Sequence, residues 1–179
     1  MIHLMTILRK SANRLFLDRH YLSDFKSMMR TLTSGRVMLV STRFRSDLFY
    51  SSPKANKTSI LKLWALYTQT NLDQINRHDL MLYHGQQTSL TQYFQSINQL
   101  STHWYHYQQY KKALAHTLAN DPFNPLSQTV LACDQFLISH YPIQRLPLIE
   151  SNAKPKTPPL TQDTFSLAMR IIRGDSHTN

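Results

Sequence analysis

Only three glycines, at positions 35, 85 and 174, serve a chain of 179 residues. Tight hairpin turns lean on glycine for their left-handed positions, so a chain this poor in glycine predicts few sheet turns and mostly helices. Hydrophobic spacing points the same way. Leu4, Leu8, Leu15, Leu22, Phe25 and Met29 recur at helical intervals, predicting a helix over 4–32, with Gly35 just beyond its end. A second apolar face runs from Ile60 through Trp64 and Tyr67 to Leu82, and a third from Leu90 through Tyr93, Ile97, Trp104 and Tyr107 to Leu118. Ser127 opens a further helix that reaches about residue 140. "RVMLVSTRF" at 36–44 is the one stretch in strand-like order. With no evident partner strand, it reads as a short extended segment or a helix start.

At this length one domain with a real core is expected. Residues 1–141 read as a basic helical domain, 142–160, which hold five prolines, as an extended linker, and 161–174 as a short amphipathic tail helix. The fold class expected is therefore all-α: a bundle of three to four long helices with a short C-terminal helix on a Pro-rich tether. Phe165, Met169 and Ile172 fall on one side of that tail helix, a pattern suited to a protein partner's groove and equally to folding back on its own domain.

Twenty Lys and Arg stand against ten acidic residues, for a formal charge of +10, and Glu150 is the only glutamate. The excess sits early: residues 1–56 carry ten basic and three acidic side chains. Such a balance favours a polyanionic partner, nucleic acid first. Arg9, Lys10, Arg14, Arg19, Arg43 and Arg45 are the phosphate-contact candidates. In "LSTHWYHYQQYKKAL" (100–114), helical arithmetic puts Trp104 and Tyr107 on the packing stripe and leaves Tyr105, Tyr110, His103 and His106 as surplus. Beside Lys111 and Lys112, Tyr105 and Tyr110 could form a platform on which unpaired bases stack. A second packed face is the plainer alternative.

Catalytic and cofactor chemistry find little material. Three isolated glycines build neither a phosphate loop nor a dinucleotide fingerprint. One Glu and nine Asp, scattered, leave few acid–base pairs to assemble, so a non-enzymatic protein without cofactor or metal is expected. Cys133, alone among apolar neighbours, reads as a buried structural thiol in a reducing compartment. No apolar run reaches the length of a membrane span. The opening segment, amphipathic and free of acids before Asp18, is compatible with a mitochondrial presequence, although a cytoplasmic location is the first expectation.

Three resemblances follow from particular segments. "RFRSDLF" (43–49), "NLDQI" (71–75) and "HYQQYKKAL" (106–114), in that order, resemble the PriC primosomal replication proteins. The resemblance implies a helical, single-strand-binding protein that contacts the tail of single-stranded DNA-binding protein and helps load the replicative helicase at stalled forks. Tyr110, Lys111 and Lys112 would stand at the family's aromatic and basic contact positions, while Ala113 falls where an Arg is expected. "LWALYTQTNLDQI" (63–75) is similar in texture to phasins, amphipathic helical coat proteins. "RHDLMLYH" (77–84) resembles the Arg and His motif of HEPN-type ribonucleases, with Arg77 and His84 as its ends. Similar pairs recur at Arg14 with His20 and at Arg170 with His177.

Overall fold

The computed structural model describes residues 1–150 apart from Ser34 and Ala55. The expected tail helix, with Phe165, Met169 and Ile172, lies outside the described residues.

The fold is mixed α and β, not an all-α bundle. In chain order the elements are β1 (Ile2–Leu8), α1 (Arg9–Arg14), α2 (Arg19–Thr33), β2 (Val37–Ser41), β3 (Arg45–Ser51), α3 (Lys57–Thr68), two single 3₁₀ turns, β4 (Leu80–His84), α4 (Gln86–Ser101), α5 (Trp104–Asn120) and α6 (Pro125–His140). The four strands form one antiparallel sheet in the order β2-β3-β1-β4. A β-α-β-β-α-β run with this order is the ferredoxin-like, or split β-α-β, arrangement. Three further helices follow it.

Those added helices explain why the strands escape sequence reading. Ile2, Leu4, Met38, Val40 and Phe49 pack beneath α4, α5 and α6, whereas Met5, Ile7, Val37, Leu39, Leu48 and Tyr50 pack beneath α1, α2 and α3. A strand covered on both faces can be apolar at successive positions, as Leu4 and Met5 of β1 and Val37 to Val40 of β2 are, and it then lacks the alternation that marks a half-buried strand. "IHLMTIL" thus reads as the start of a helix, and "LMLYH" as the end of one. Both are strands, and β3, β1 and β4 supply the sheet that "VMLVS" seemed to lack.

Glycine poverty limits hairpins here rather than strands. The sheet has one tight hairpin, β2 to β3, and every other connection passes through a helix. Thr42 closes that hairpin: its N–H donates to the Arg45 carbonyl (2.9 Å), and its Oγ1 accepts from the Arg45 N–H (3.1 Å). Elsewhere Arg9, Asn56 and Gln69 adopt positive φ themselves.

The third apolar stretch also divides. A break at residues 102–103 separates α4 from α5, and the phase changes there: Tyr107, Tyr110 and Leu114 are buried, while Trp104 is 69% exposed. Trp104 therefore leaves the packing stripe, and Tyr110 joins it. At the C-terminal end, residues 142–150 lie on the body as a strap. Arg145 pairs with Asp134 (2.6 Å), the Leu148 N–H donates to the same carboxylate (2.7 Å), Leu148 is fully buried, and Lys111 reaches Glu150 (2.6 Å). Cys133 is a buried free thiol whose pKa burial pushes up to about 12.

Candidate functional site

β2 is an edge strand, with α2 packed on one face of the sheet and α5 on the other. The two helices diverge over this edge and leave a groove. Strand edges invite pairing with foreign strands unless blocked. Here Thr117 Oγ1 donates to the Leu39 carbonyl (2.7 Å) and Asn124 Nδ2 to the Val37 carbonyl (2.8 Å), so side chains of α5 and of the α6 N-cap occupy these edge acceptors. The groove holds two adjoining cavities of about 420 and 530 Å³ that share Arg19, Leu22, His116 and Thr117.

The larger cavity is the aromatic end. The β2–β3 turn carries Arg43 and Phe44 into it, and the Phe44 ring stacks on His106 of α5 with centroids 4.3 Å apart and planes 18° from parallel. Tyr105, 65% exposed, stands on the rim beside His106. Arg43 lies over the Phe16 ring at 4.9 Å, keeping its guanidinium at the cavity mouth. Lys112 and Gln109 complete the α5 wall, which carries no acidic residue.

The smaller cavity is the cationic end, lined by Arg19, His20, Lys26, Arg30 and His116 among others. Its one acid, Asp121, accepts from Lys26 Nζ (3.2 Å), Arg30 Nη2 (2.9 Å) and Asn124 Nδ2 (3.0 Å). Burial alone would raise the Asp121 carboxyl, but hydrogen bonds and charge from Lys26, Asn124 and Arg30 hold it below its ordinary range. Asp121 therefore remains an anion shared between two cations, and the rest of the lining is basic or neutral.

Of the residues singled out in the sequence, Arg19, Arg43, Tyr105 and Lys112 come together in this groove. Arg9, Lys10 and Arg14 do not line it: all three lie on α1, where Arg9 reaches Asp79 (3.5 Å) and Arg14 donates to Gln74 (2.9 Å). Arg45, Tyr110 and Lys111 are buried, so none of them presents a surface to a ligand. Arg45 clasps Asp47 through Nε (2.6 Å) and Nη2 (3.1 Å) and also bonds Ser96 (2.7 Å). Tyr110 donates its hydroxyl to the same carboxylate (2.6 Å), and Thr6 donates to it as well (2.7 Å). Burial and the Asp47 charge raise the Tyr110 pKa well above its ordinary value. Lys111 is spent on Glu150.

Phe16, Phe44, His106, Gln109 and His116 were not expected in a site. For the α5 residues a signal existed: 105, 109, 112, 116 and 120 recur at three- and four-residue spacing and mark one polar face. Nothing in the linear pattern joined Phe44 to that face, because the hairpin that delivers it was not foreseen. Arg77 opens the 3₁₀ turn before β4 and His84 is the last residue of that strand, so the ends of the HEPN-like segment do not share a helix. Among the described residues no cluster of three or more His, Cys, Asp or Glu is placed to hold a metal ion, and no described helix is long and apolar enough to cross a membrane. No protein-family model matches the chain, and no curated protein shows significant similarity to it.

Proposed function

We propose that this chain is a nucleic-acid-binding protein that holds a single strand, DNA in the first instance, in the groove between α2 and α5. The observation that carries the reading is the convergence of Arg19, Arg43 and Lys112 with the Phe44–His106 stack and Tyr105 around one cavity without an acid. A single strand offers a phosphate for each cation and an exposed ring for each aromatic, and base–aromatic stacking contributes roughly 1–3 kcal/mol per base. The groove is lined by side chains and lies over a blocked strand edge, which favours an extended polyanion over β-pairing with a peptide. The helices turn their main apolar faces toward the sheet, and the large exposed apolar side chains are scattered over several elements, among them Tyr21, Met28, Leu66 and Phe123. A coat protein would need such residues gathered on one face.

Fluorescence anisotropy with a labelled single-stranded 12-mer tests the reading. Three phosphate contacts on a single strand predict roughly a twentyfold loss of affinity between 50 and 200 mM salt. Undetectable binding at 50 mM salt would end it.

A further inference from the structure

We propose that the aromatic end of the groove is a pocket for one unpaired adenine, whose edge is read by Gln109. The inference rests on the groove being a nucleic-acid site and names the base it prefers. The Phe44–His106 stack is already formed, giving a flat apolar surface beside a cavity of about 530 Å³. Among the neutral polar side chains lining that cavity, Ser41 bonds the Leu17 N–H and Ser46, Thr42 bonds Arg45, and Thr117 bonds the Leu39 carbonyl. The Gln109 amide has no hydrogen-bond partner among the described residues, and neither has the exposed Tyr105 hydroxyl on the rim, but only Gln109 presents a donor and an acceptor side by side. It is half-buried on α5, four residues after Tyr105 and three before Lys112, so it shares their face.

A half-buried amide with no protein partner keeps both a donor and an acceptor free for a ligand. A ligand that supplies both at adjacent atoms satisfies it. Adenine does so on the edge carrying N6–H₂ and N7, the edge that Gln engages through two hydrogen bonds, whereas guanine shows two acceptors there. Pyrimidines offer a smaller ring to the stack. The cations at the cavity mouth then receive the phosphates on either side of the held base.

Labelled dA12, dT12 and dC12 titrated at one salt concentration test the assignment. The expected result is that dA12 binds about tenfold tighter than the pyrimidine strands, a ratio within the range of one bidentate contact. Gln109→Ala should bring dA12 to the level of dT12 while moving dT12 less than twofold. Competition with AMP and CMP asks whether the base alone carries the preference and separates a free nucleotide from a strand as the source of adenine. AMP should displace dA12 at concentrations where CMP does not, and equal displacement by CMP would overturn the pocket. Equal affinity for all three strands, or a dA12 preference that survives Gln109→Ala, overturns the adenine assignment and leaves the groove reading standing. Absence of binding to any strand overturns both.

Discussion

Arg43 and Arg45 are two residues apart, and Lys111 and Lys112 are neighbours, yet each pair is split between two regions of opposite character. Arg43 and Lys112 line the groove with Tyr105, where they face water. Arg45 and Lys111 are buried with Tyr110, and Arg45 and Tyr110 share a carboxylate, Asp47, which is itself 1% exposed. On α5 the division is angular: adjacent helical residues point about 100° apart, so Lys111 turns toward the strap and Lys112 toward the groove. At the hairpin it is positional, because Arg43 sits in the turn and Arg45 is the first residue of β3. One set of residue types therefore serves two purposes. Buried, the charges are neutralised within the fold and fix how α4 and α5 sit on the sheet; in the groove Arg43 and Lys112 have no acidic partner among the described residues.

The sharpest way to break this contrast is Asp47→Ala. It would strand the buried Arg45 guanidinium without its partner, and losing one member of a buried pair costs about 3–5 kcal/mol. Urea denaturation should show that loss. The double substitution Arg45→Met, Asp47→Leu removes both charges and should recover much of it. A single variant that unfolds at the wild-type midpoint would show that the network contributes nothing to stability. Tyr110→Phe keeps the ring and removes two hydroxyl contacts, to Asp47 and Tyr93, for an expected loss of about 1–3 kcal/mol.

The groove substitutions should do the reverse. Tyr105→Ala is expected to leave the denaturation midpoint nearly unchanged and to weaken single-strand binding by roughly 1–3 kcal/mol, the range of one stacked base. Arg43→Ala and Lys112→Ala should each reduce the slope of log affinity against log salt by about 0.7. Lys111→Ala, one residue along the helix, should leave that slope alone. If Lys111→Ala lowers the slope as much as Lys112→Ala does, the division between the two regions is wrong.

How far the sequence discloses this arrangement depends on how local the cause is. Helix α6 is legible as an element, but its start is not Ser127: Asn124 caps the Leu126 N–H and Pro125 is the first helical residue, two positions earlier. The buried thiol is a local feature too, whereas the prolines from residue 142 on suggest an extended linker where residues 142–150 pack on the body. Of the strands only β2 shows in the sequence, as the strand-like order of 36–44; β1 is not legible, because helices cover it on both faces and one of those layers begins 78 residues after it ends, at Gln86. The site is half legible for the same reason. Arg19, Arg43, Tyr105 and Lys112 announce themselves by charge and ring, but only the sheet order decides that Arg45 and Tyr110 turn inward. Glycine count misleads because it measures tight turns, and this topology uses one.

The smallest effect concerns a histidine on the buried side of the contrast. His3 is almost fully buried, stacks on Tyr50 of β3 and faces His84 of β4, with the two Nδ1 atoms 2.9 Å apart. Its Nε2 lies 3.1 Å from the Ser52 carbonyl, which can only accept, so Nε2 carries the proton. Neutral His3 therefore accepts at Nδ1 from the His84 N–H. Burial, followed by the charges of His84 and the Met1 amino group, outweighs the Ser52 hydrogen bond and lowers the His3 pKa below 6.5. The unfolded chain consequently binds more protons than the folded one between that lowered value and 6.5. Stability from this group is complete above pH 6.5 and falls as the pH drops through the window. Melting temperatures measured from pH 7.5 to 5.0 should decline in the wild type and decline less in His3→Gln, which is less stable throughout but has no imidazole to protonate. Parallel curves for the two proteins would show that His3 titrates alike folded and unfolded.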